Sequence, residues 1–287
     1  MSHDTLPFQV WDVFTDAPFT GNPLAIVEDA GALTTAQMQI IARQFNLSET
    51  IFLMPPRDPS NTARARIFFP TAEIPFAGHP TVGAALFLAH RDGLDDVRLE
   101  EEAGLIAVRV RDGQAQFAAP VPPAPHGDPV TADLCARAVG LAEADIGPHD
   151  PGAFAGGPAF VYIPLRSRDA LRRAKPTEPG WSALMDVAQV DAGFLYDPDL
   201  NARMFSPTAG IPEDPATGSA CAILAAQLLA NGALSEGTTT REIAQGHDMG
   251  RPSRIGFEAD VAGGTLTEVR IAGRAVPVSE GRIRIPG

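Results

Sequence analysis

The sequence predicts an α+β fold made of two similar domains that arose by internal duplication. Two stretches share one arrangement, a polar turn that leads into a helix with apolar residues on nearly every face, and such a helix must be buried all round. His79-Pro80 matches Asp214-Pro215 135 residues later, and Gly21-Asn22-Pro23 matches Gly156-Gly157-Pro158 at the same spacing. A repeated spacing is typical of a duplicated unit. Strands outnumber helices and short turns join most of them, so we expect largely antiparallel sheets, each with one buried helix.

The first domain is predicted to span residues 1–118, and residues 274–287 could complete it. Turn residues between two β-rich stretches predict a hairpin-like opening over 6–28. Thr34 or Thr35 can cap a helix that ends near Asn46, because apolar residues recur there at helical spacing. The remaining predicted elements are strands at 51–54 and 63–69, an apolar helix that stops at Gly93, and two or three strands within 97–118.

A proline-rich segment at 118–129 is predicted to separate the domains, because proline removes backbone donors and favours extended geometry. The second domain is predicted to span residues 129–273. Its predicted elements are a helix at 131–139, a strand at 159–165, amphipathic pieces within 167–188, strands near 190–197 and 202–206, an apolar helix at 217–230, and strands near 239–245, 254–261, 265–272 and 281–285.

Composition excludes several classes of function. With 45% apolar and 20% charged residues in 287, the chain has an ordinary globular composition. A net charge of -13 argues against nucleic acid and anionic membrane surfaces as partners, since both attract Lys and Arg. The first residues lack the pattern of an export signal and no run approaches 18 apolar residues, so we expect a cytoplasmic protein. Cys135 and Cys221 do not form a disulfide framework, and both are expected to be core residues.

The two predicted helix entrances are candidate anion sites. Helix N-termini offer unpaired backbone N–H groups and the positive end of the dipole, so they can hold a carboxylate without a lysine. Gly78 precedes the first entrance, and Gly218 and Ser219 lack bulk at the second. An alternative remains for the flanking residues, because His79-Pro80 and Asp214-Pro215 both fit an N-cap followed by proline at the first helical position.

Glu49 is the candidate acid–base residue that lies outside these entrances. It stands between an apolar helix end and an apolar strand, where a carboxylate would be partly desolvated, although a solvated turn acid fits the pattern too. Ser219 as a nucleophile is disfavoured, because Thr-Gly-Ser-Ala is not the Gly-x-Ser-x-Gly elbow. Glycine-rich phosphate loops and metal-ligand spacings are absent from the sequence, so we expect neither a cofactor nor a metal.

At these residues the sequence resembles the PhzF family of phenazine biosynthesis, part of the wider diaminopimelate-epimerase-like fold. The resemblance covers nearly the whole chain and rests on several motifs in family order. They are Phe14 to Pro23, Asn46-Leu47-Ser48-Glu49-Thr50, Pro75-Phe76-Ala77-Gly78-His79-Pro80-Thr81, Glu213-Asp214-Pro215-Ala216-Thr217-Gly218-Ser219-Ala220, and Gln245-Gly246 with Met249-Gly250-Arg251-Pro252-Ser253.

The resemblance implies two domains, each a barrel-like sheet around a central helix, with the active site in the cleft between them. It also implies a cofactor-independent isomerase in which Glu49 moves a proton between carbon atoms of a small carboxylate, with His79 and Asp214 nearby. Related epimerases use two cysteines at the helix entrances, and this chain has His79 and Asp214 there instead, which disfavours a two-thiol racemase. The resemblance gives no role to Arg251.

Three functions stay open at this stage. The first is the proton-shift isomerase, the second is an amino-acid racemase or epimerase, and the third is a non-catalytic protein that binds small acids. Incorporation of solvent deuterium into a bound substrate separates the first two from the third. The sequence names neither the substrate nor the pathway, and it leaves a homodimer open.

Overall fold

The computed structural model of the chain describes residues 5–287. These residues form two compact units. The first unit comprises the chain up to Pro120 together with Ala272–Gly287, and the second comprises Val121–Ile271. Both units combine helices with a larger number of strands, so the chain has a mixed fold of α-helices and β-strands.

The elements follow one another along the chain in this order. In the first half they are β1 (Thr5–Val13), β2 (Asn22–Val27), α1 (Thr35–Phe45), β3 (Glu49–Met54), β4 (Ala63–Phe68), β5 (Glu73–Ile74), α2 (Gly78–Asp92), β6 (Asp96–Glu101), β7 (Gly104–Arg111) and β8 (Gln114–Ala118). In the second half they are β9 (Ala124–Pro125), α3 (Ala132–Ala138), β10 (Gly152–Ala155), β11 (Ala159–Pro164), α4 (Arg168–Arg173), α5 (Gly180–Ala188), β12 (Gly193–Tyr196), β13 (Asn201–Ser206), β14 (Ile211–Asp214), α6 (Gly218–Ala230), β15 (Gly237–Gln245), β16 (Ser253–Ala262), β17 (Thr265–Gly273) and β18 (Ala275–Arg284).

Strand pairing in the first unit is mostly antiparallel. The antiparallel pairs are β1–β18, β1–β2, β3–β4, β4–β5, β6–β7 and β7–β8. The pairs β2–β3 and β4–β6 are parallel, because a helix lies between the two strands of each pair and carries the chain back. Helix α2 contacts β1, β2, β3, β6, β7, β8 and β18, and its residues from Gly78 to Ala89 are buried. It is therefore the central helix of this unit, as its apolar composition predicts.

The second unit has a similar pattern. The pairs β9–β10, β10–β11, β12–β13, β13–β14 and β15–β16 are antiparallel. The pairs β11–β12 and β13–β15 are parallel, again because helices cross between the strands. Helix α6 contacts β9, β10, β11 and β16, and nearly all of its side chains are buried. A separate apolar core around Trp181 joins α3, α4 and α5 to the sheet.

The residues at which α2 and α6 begin show that the N-cap interpretation of His79 and Asp214 is wrong. His79 and Asp214 both fit an N-cap by pattern, but the N-caps of α2 and α6 are Ala77 and Thr217. His79 is the second residue inside α2, and Asp214 is the last residue of β14. The residue at the position of His79 in α6 is Ser219, so the spacing of 135 residues does not pair equivalent positions. Proline is tolerated at any position of the first turn of a helix, so a proline does not show at which residue the helix begins.

An arginine–glutamate pair precedes the central helix in each unit. Arg66 on β4 donates two hydrogen bonds of 2.6 Å to Glu73 on β5, and its guanidinium lies 5.3 Å from the ring centroid of Phe68. Arg203 on β13 donates two bonds of 2.8 Å to Glu213 on β14 and lies 4.7 Å from the ring of Phe205. Each pair fixes the strand from which the chain enters the central helix.

Arg203 has a further role at the end of α4. Its Nη1 atom donates to three backbone carbonyl oxygens at that end, those of Leu171, Arg172 and Ala174, at 3.1, 3.2 and 2.8 Å. The last carbonyls of a helix have no intrahelical partner, so a guanidinium satisfies them. Its side chain is only 11% exposed, so water does not compete for the atoms that form these hydrogen bonds.

We expect Arg203→Lys to lower the free energy of unfolding by about 1–3 kcal/mol, because lysine keeps the charge but loses the two-pronged bond and the carbonyl contacts. Urea unfolding at neutral pH measures the change. Arg172→Lys is the matched control, since its side chain is 67% exposed, and it should stay within about 0.5 kcal/mol. Equal stability of the two variants would show that the Arg203 network contributes nothing.

Candidate active site

Glu49 and His79 come together in the first unit. Glu49 is the first residue of β3, where it lies opposite Leu24 of the parallel strand β2. His79 is in the first turn of α2 and is 2% exposed, whereas the Glu49 side chain is 12% exposed. The Nδ1 atom of His79 lies 2.9 Å from Oε2 of Glu49, and its Nε2 atom lies 3.1 Å from the carbonyl oxygen of Asn22.

The contacts of the His79 ring determine where its protons lie. A carbonyl oxygen can only accept, so Nε2 carries a hydrogen and donates it to Asn22. If the ring is neutral, Nδ1 is then an acceptor and Glu49 must supply the proton between them. If the ring is charged, Nδ1 donates to a Glu49 carboxylate. In both cases one proton is held between Glu49 and His79, so the pair can move a proton without leaving either partner unsatisfied.

Asp214 anchors a second polar cluster, in the other unit. Its side chain is buried, and Oδ2 accepts a 2.6 Å hydrogen bond from the hydroxyl of Thr217, the N-cap of α6. Gln245 at the end of β15 donates from Nε2 to the backbone carbonyl of Asp214 at 2.8 Å and to the Thr217 hydroxyl at 2.9 Å. Its Oε1 atom accepts from the Thr217 backbone N–H at 3.1 Å. The turn between β14 and α6 is therefore held by side chains of its own unit.

The three predicted anion-binding residues lie at the predicted helix ends. Gly78 and Gly218 are the first residues of α2 and α6, and both are buried. Ser219, the second residue of α6, is half-buried. The first backbone N–H groups of a helix have no intrahelical acceptor, so these positions can present donors to an anion. Of the predicted residues, Glu49 and His79 are in direct contact in the first unit. Asp214, Gly218 and Ser219 lie together in the second unit, where β14 leads into α6.

Sequence reasoning gave no role to the segment from Gln245 to Ser253, and the structure supplies one. Ser253 donates from its hydroxyl to the carbonyl of Pro215 at 2.8 Å, and it is fully buried like Gln245. Gly246 has a φ of +76°, and a Cβ atom there would collide with the carbonyl oxygens of Arg251 and Pro215. The segment thus supports the turn that carries Asp214. Only the Gln-Gly pair at a strand end could have indicated this.

The two cysteines are core residues, as predicted. Both are fully buried. Burial raises the pKa of the Cys135 thiol to about 12 and holds the pKa of Cys221 well above its usual range. A thiol with a raised pKa is a poor base at neutral pH, because the thiolate is the reactive form. A mechanism with two thiol bases therefore has no support in either unit.

Two further features bear on function. Within residues 5–287, no group of three or more His, Cys, Asp and Glu side chains could hold a metal ion, and no helix is long and apolar enough to cross a membrane.

A cavity of about 400 Å³ in the second unit is lined by residues that include His149, Tyr196 and Leu228. Leu228 is ten residues along α6 from Gly218, which corresponds to about 15 Å of helix, so this cavity is separate from the entrance of α6.

Comparison with known proteins identifies the family. The model of the family of phenazine biosynthesis-like proteins matches residues 11–281. The chain belongs to this family. The resemblance to PhzF proteins found in the sequence is thereby confirmed.

Individual relatives agree with this assignment. The chain is 39% identical to an uncharacterized isomerase from Mesorhizobium japonicum, covering 98% of this chain and 99% of the relative. It is 36% identical to trans-2,3-dihydro-3-hydroxyanthranilate isomerase from Pseudomonas fluorescens, covering 96% and 98%. Among solved structures, a predicted epimerase from Pseudomonas aeruginosa is similar with a TM-score of 0.83 and 32% identity, covering 97% and 99%. The chain is therefore an isomerase with an epimerase-like fold.

Proposed function

We propose that the protein moves a proton between carbon atoms of a small carboxylate substrate without a cofactor, and that Glu49 carries the proton. The 2.9 Å contact between Glu49 and His79 carries this proposal. It places a carboxylate with little exposure beside a fixed imidazole, in two motifs of the isomerase family. A general base must be positioned and only partly solvated to act efficiently, and this carboxylate is both.

The proposed reaction conserves protons and electrons. The Glu49 carboxylate takes a proton from a carbon atom of the substrate, and the electron pair of that C–H bond moves into the adjacent double bonds. The proton on the partly exposed Glu49 carboxyl exchanges with solvent, and Glu49 then delivers a proton to a second carbon atom. His79 holds Glu49 in place and balances its charge through the shared proton. The proposed donors to the substrate anion are the backbone N–H groups at Gly78 in the first unit and at Gly218 and Ser219 in the second, where the helix dipoles favour an anion.

Asp214 is the second proton-handling group in this proposal. Its burial and its short bond to Thr217 support the role, because a carboxylate held by neighbours keeps a fixed orientation. An aspartate that serves only to hold the turn before α6 would make the same bond. Asp214→Asn keeps the shape of the side chain and separates the two roles, since the turn should survive the change.

The substrate proposal comes from the Pseudomonas fluorescens relative. Its name, trans-2,3-dihydro-3-hydroxyanthranilate isomerase, describes a small carboxylate with conjugated carbons, which suits the proposed chemistry. The alternative is a racemase or epimerase, and the observation that supports this alternative is the similarity to a predicted epimerase. A racemase returns the proton to the carbon atom that lost it, whereas the proposed isomerase returns it to another carbon.

We expect the purified protein to isomerise trans-2,3-dihydro-3-hydroxyanthranilate, and to place deuterium on one new carbon atom when the reaction runs in D₂O. NMR spectroscopy of the product locates the label, and a panel of proline and other amino acids run in parallel detects racemisation. Label at the original carbon with inverted configuration would support the epimerase alternative. The absence of turnover and exchange with the whole panel would contradict both.

We also propose that the two units arose by duplication, with domains at 1–118 and 129–273, and that residues 274–287 complete the first. The matched pairs Arg66–Glu73 and Arg203–Glu213 support this, because the glutamate of each pair stands five residues before the first residue of its central helix. Superposition of the two units tests it.

We also propose that the protein is a cytoplasmic homodimer, and light scattering of the purified protein tests the dimer.

A further inference from the structure

Glu101 is a buried carboxyl group that the proposed mechanism does not use. It is the last residue of β6 and is 8% exposed. Its Oε1 atom lies 2.8 Å from the hydroxyl oxygen of Thr81, in the first turn of α2. Its Oε2 atom is buried and has no hydrogen-bond partner among residues 5–287. A carboxylate in this position would be an unpaired buried charge, which is costly.

The contacts of Thr81 indicate the protonation state of Glu101. The Thr81 hydroxyl oxygen also lies 2.7 Å from the carbonyl oxygen of Ala77. A hydroxyl group has one hydrogen, and both a carbonyl and a carboxylate can only accept. Both short contacts are satisfied when the carboxylic acid donates to Thr81 and Thr81 donates to Ala77. Burial agrees with this geometry, because it raises the pKa of Glu101 from 4.5 to about 8.

Charged groups near β6 have partners elsewhere or lie at a distance. Arg64 pairs with Glu102, Arg66 with Glu73, and His79 with Glu49. Arg109 and Arg111 belong to the opposite end of the β6–β7 hairpin, near Asp95 and Asp96. The charged and titratable residues at the far end of α2 are His90, Arg91 and Asp92. The hydrogen bond to Thr81 is therefore the contact that determines the state of the Glu101 carboxyl.

We propose that protonated Glu101 is a positioning residue that acts through Thr81 to fix the peptide between Ala77 and Gly78 at the entrance of α2. That peptide is planar, so the orientation of the Ala77 carbonyl also sets the direction of the Gly78 N–H group. When Glu101 loses its proton, the Thr81 hydroxyl turns toward the new anion and leaves the Ala77 carbonyl. The Gly78 N–H group is then held less firmly. The binding consequence rests on the proposed function, in which Gly78 binds the substrate carboxylate.

Hydrogen exchange at the Thr81 amide tests the relay without any substrate, because this amide donates to the same Ala77 carbonyl at 3.3 Å. After correction for the intrinsic rate, its protection should fall at least tenfold between pH 6.5 and pH 9.5 in the parent protein. In Glu101→Gln, whose amide can donate to Thr81 at every pH, it should change less than threefold. Glu102→Gln, a neighbouring exposed carboxylate, should follow the parent. Equal pH responses of the parent and Glu101→Gln would overturn the proposal.

Two variants of Thr81 cover the case in which Glu101→Gln fails to fold. Thr81→Ser keeps the hydroxyl and should follow the parent, whereas Thr81→Val removes it and should leave protection low at both pH values. Protection that is the same in both variants would also overturn the relay.

Steady-state kinetics then test the binding step, with trans-2,3-dihydro-3-hydroxyanthranilate as the probe. KM should rise about tenfold between pH 7 and pH 9.5 in the parent and stay within threefold in Glu101→Gln. A KM profile that is the same in both proteins, with the exchange result as expected, would leave the relay standing and contradict binding at Gly78. Absence of turnover in both would contradict the proposed function alone.

Discussion

Replacing Glu49 with Gln is expected to lower the isomerisation rate by about 10²- to 10⁴-fold, equivalent to about 2.7–5.4 kcal/mol of activation free energy. Glutamine keeps the shape of the side chain and its contact with His79, but it cannot take a proton from carbon. Substrate affinity should change little, since Gly78, Gly218 and Ser219 are untouched. Single-turnover rates and equilibrium binding of the same substrate measure the two quantities separately.

Glu102→Gln is the matched control, because it makes the same chemical change on a side chain that is 49% exposed, and it should retain the parent rate. His79→Asn and Asp214→Asn complete the set. If Glu49→Gln turns over within threefold of the parent while Asp214→Asn abolishes the rate, the proton carrier is Asp214 and our assignment is wrong. A parallel loss of rate in Glu49→Gln and His79→Asn would instead support the shared proton between them.

The central helices show what the sequence could predict. Apolar residues on every side of α2 and α6 leave no face for water, so their burial within sheets followed directly from composition. The apolar runs at β3 and β11 and the alternating pattern at β4 also predicted strands, since each of these stretches is bounded by turn residues. Glu49 was predicted as a partly desolvated acid, and its side chain is 12% exposed in the structure.

The missed features depend on contacts between residues far apart in the chain. The short strand β14 forms by pairing with β13, and hydropathy within its four residues gives no signal of that pairing. Gln245 acts through three hydrogen bonds to the turn before α6, about 30 residues away, and the Gln245-Gly246 motif marks its position without showing that contact. Glu101 lies in an alternating strand where an acid normally faces water. It shares the inner face of β6 with Val97 and Leu99, so the alternation alone places it inside, but the sequence does not show that Thr81 of α2 is its hydrogen-bond partner there.

The pH dependence of stability gives the last prediction, and it concerns Glu101. Its pKa is about 8 in the folded protein against an ordinary value of 4.5, so the folded state binds more protons than the unfolded state between these values. This contribution to stability is complete below about pH 4.5, decreases as the pH rises, and is lost above about pH 8. The slope is at most about 1.4 kcal/mol per pH unit.

Glu101→Gln should remove this slope, since a neutral amide occupies the same space and does not titrate. The difference in free energy of unfolding between the variant and the parent should therefore grow in favour of the variant by about 3–4 kcal/mol from pH 5 to pH 8 and then stay constant. Urea unfolding at pH 5, 6, 7, 8 and 9 measures it, and other titrating groups cancel in the difference. Glu102→Gln should show no comparable trend. A constant difference across the range would mean that Glu101 is ionised in the folded protein at neutral pH, and the protonated relay to Thr81 would then not exist.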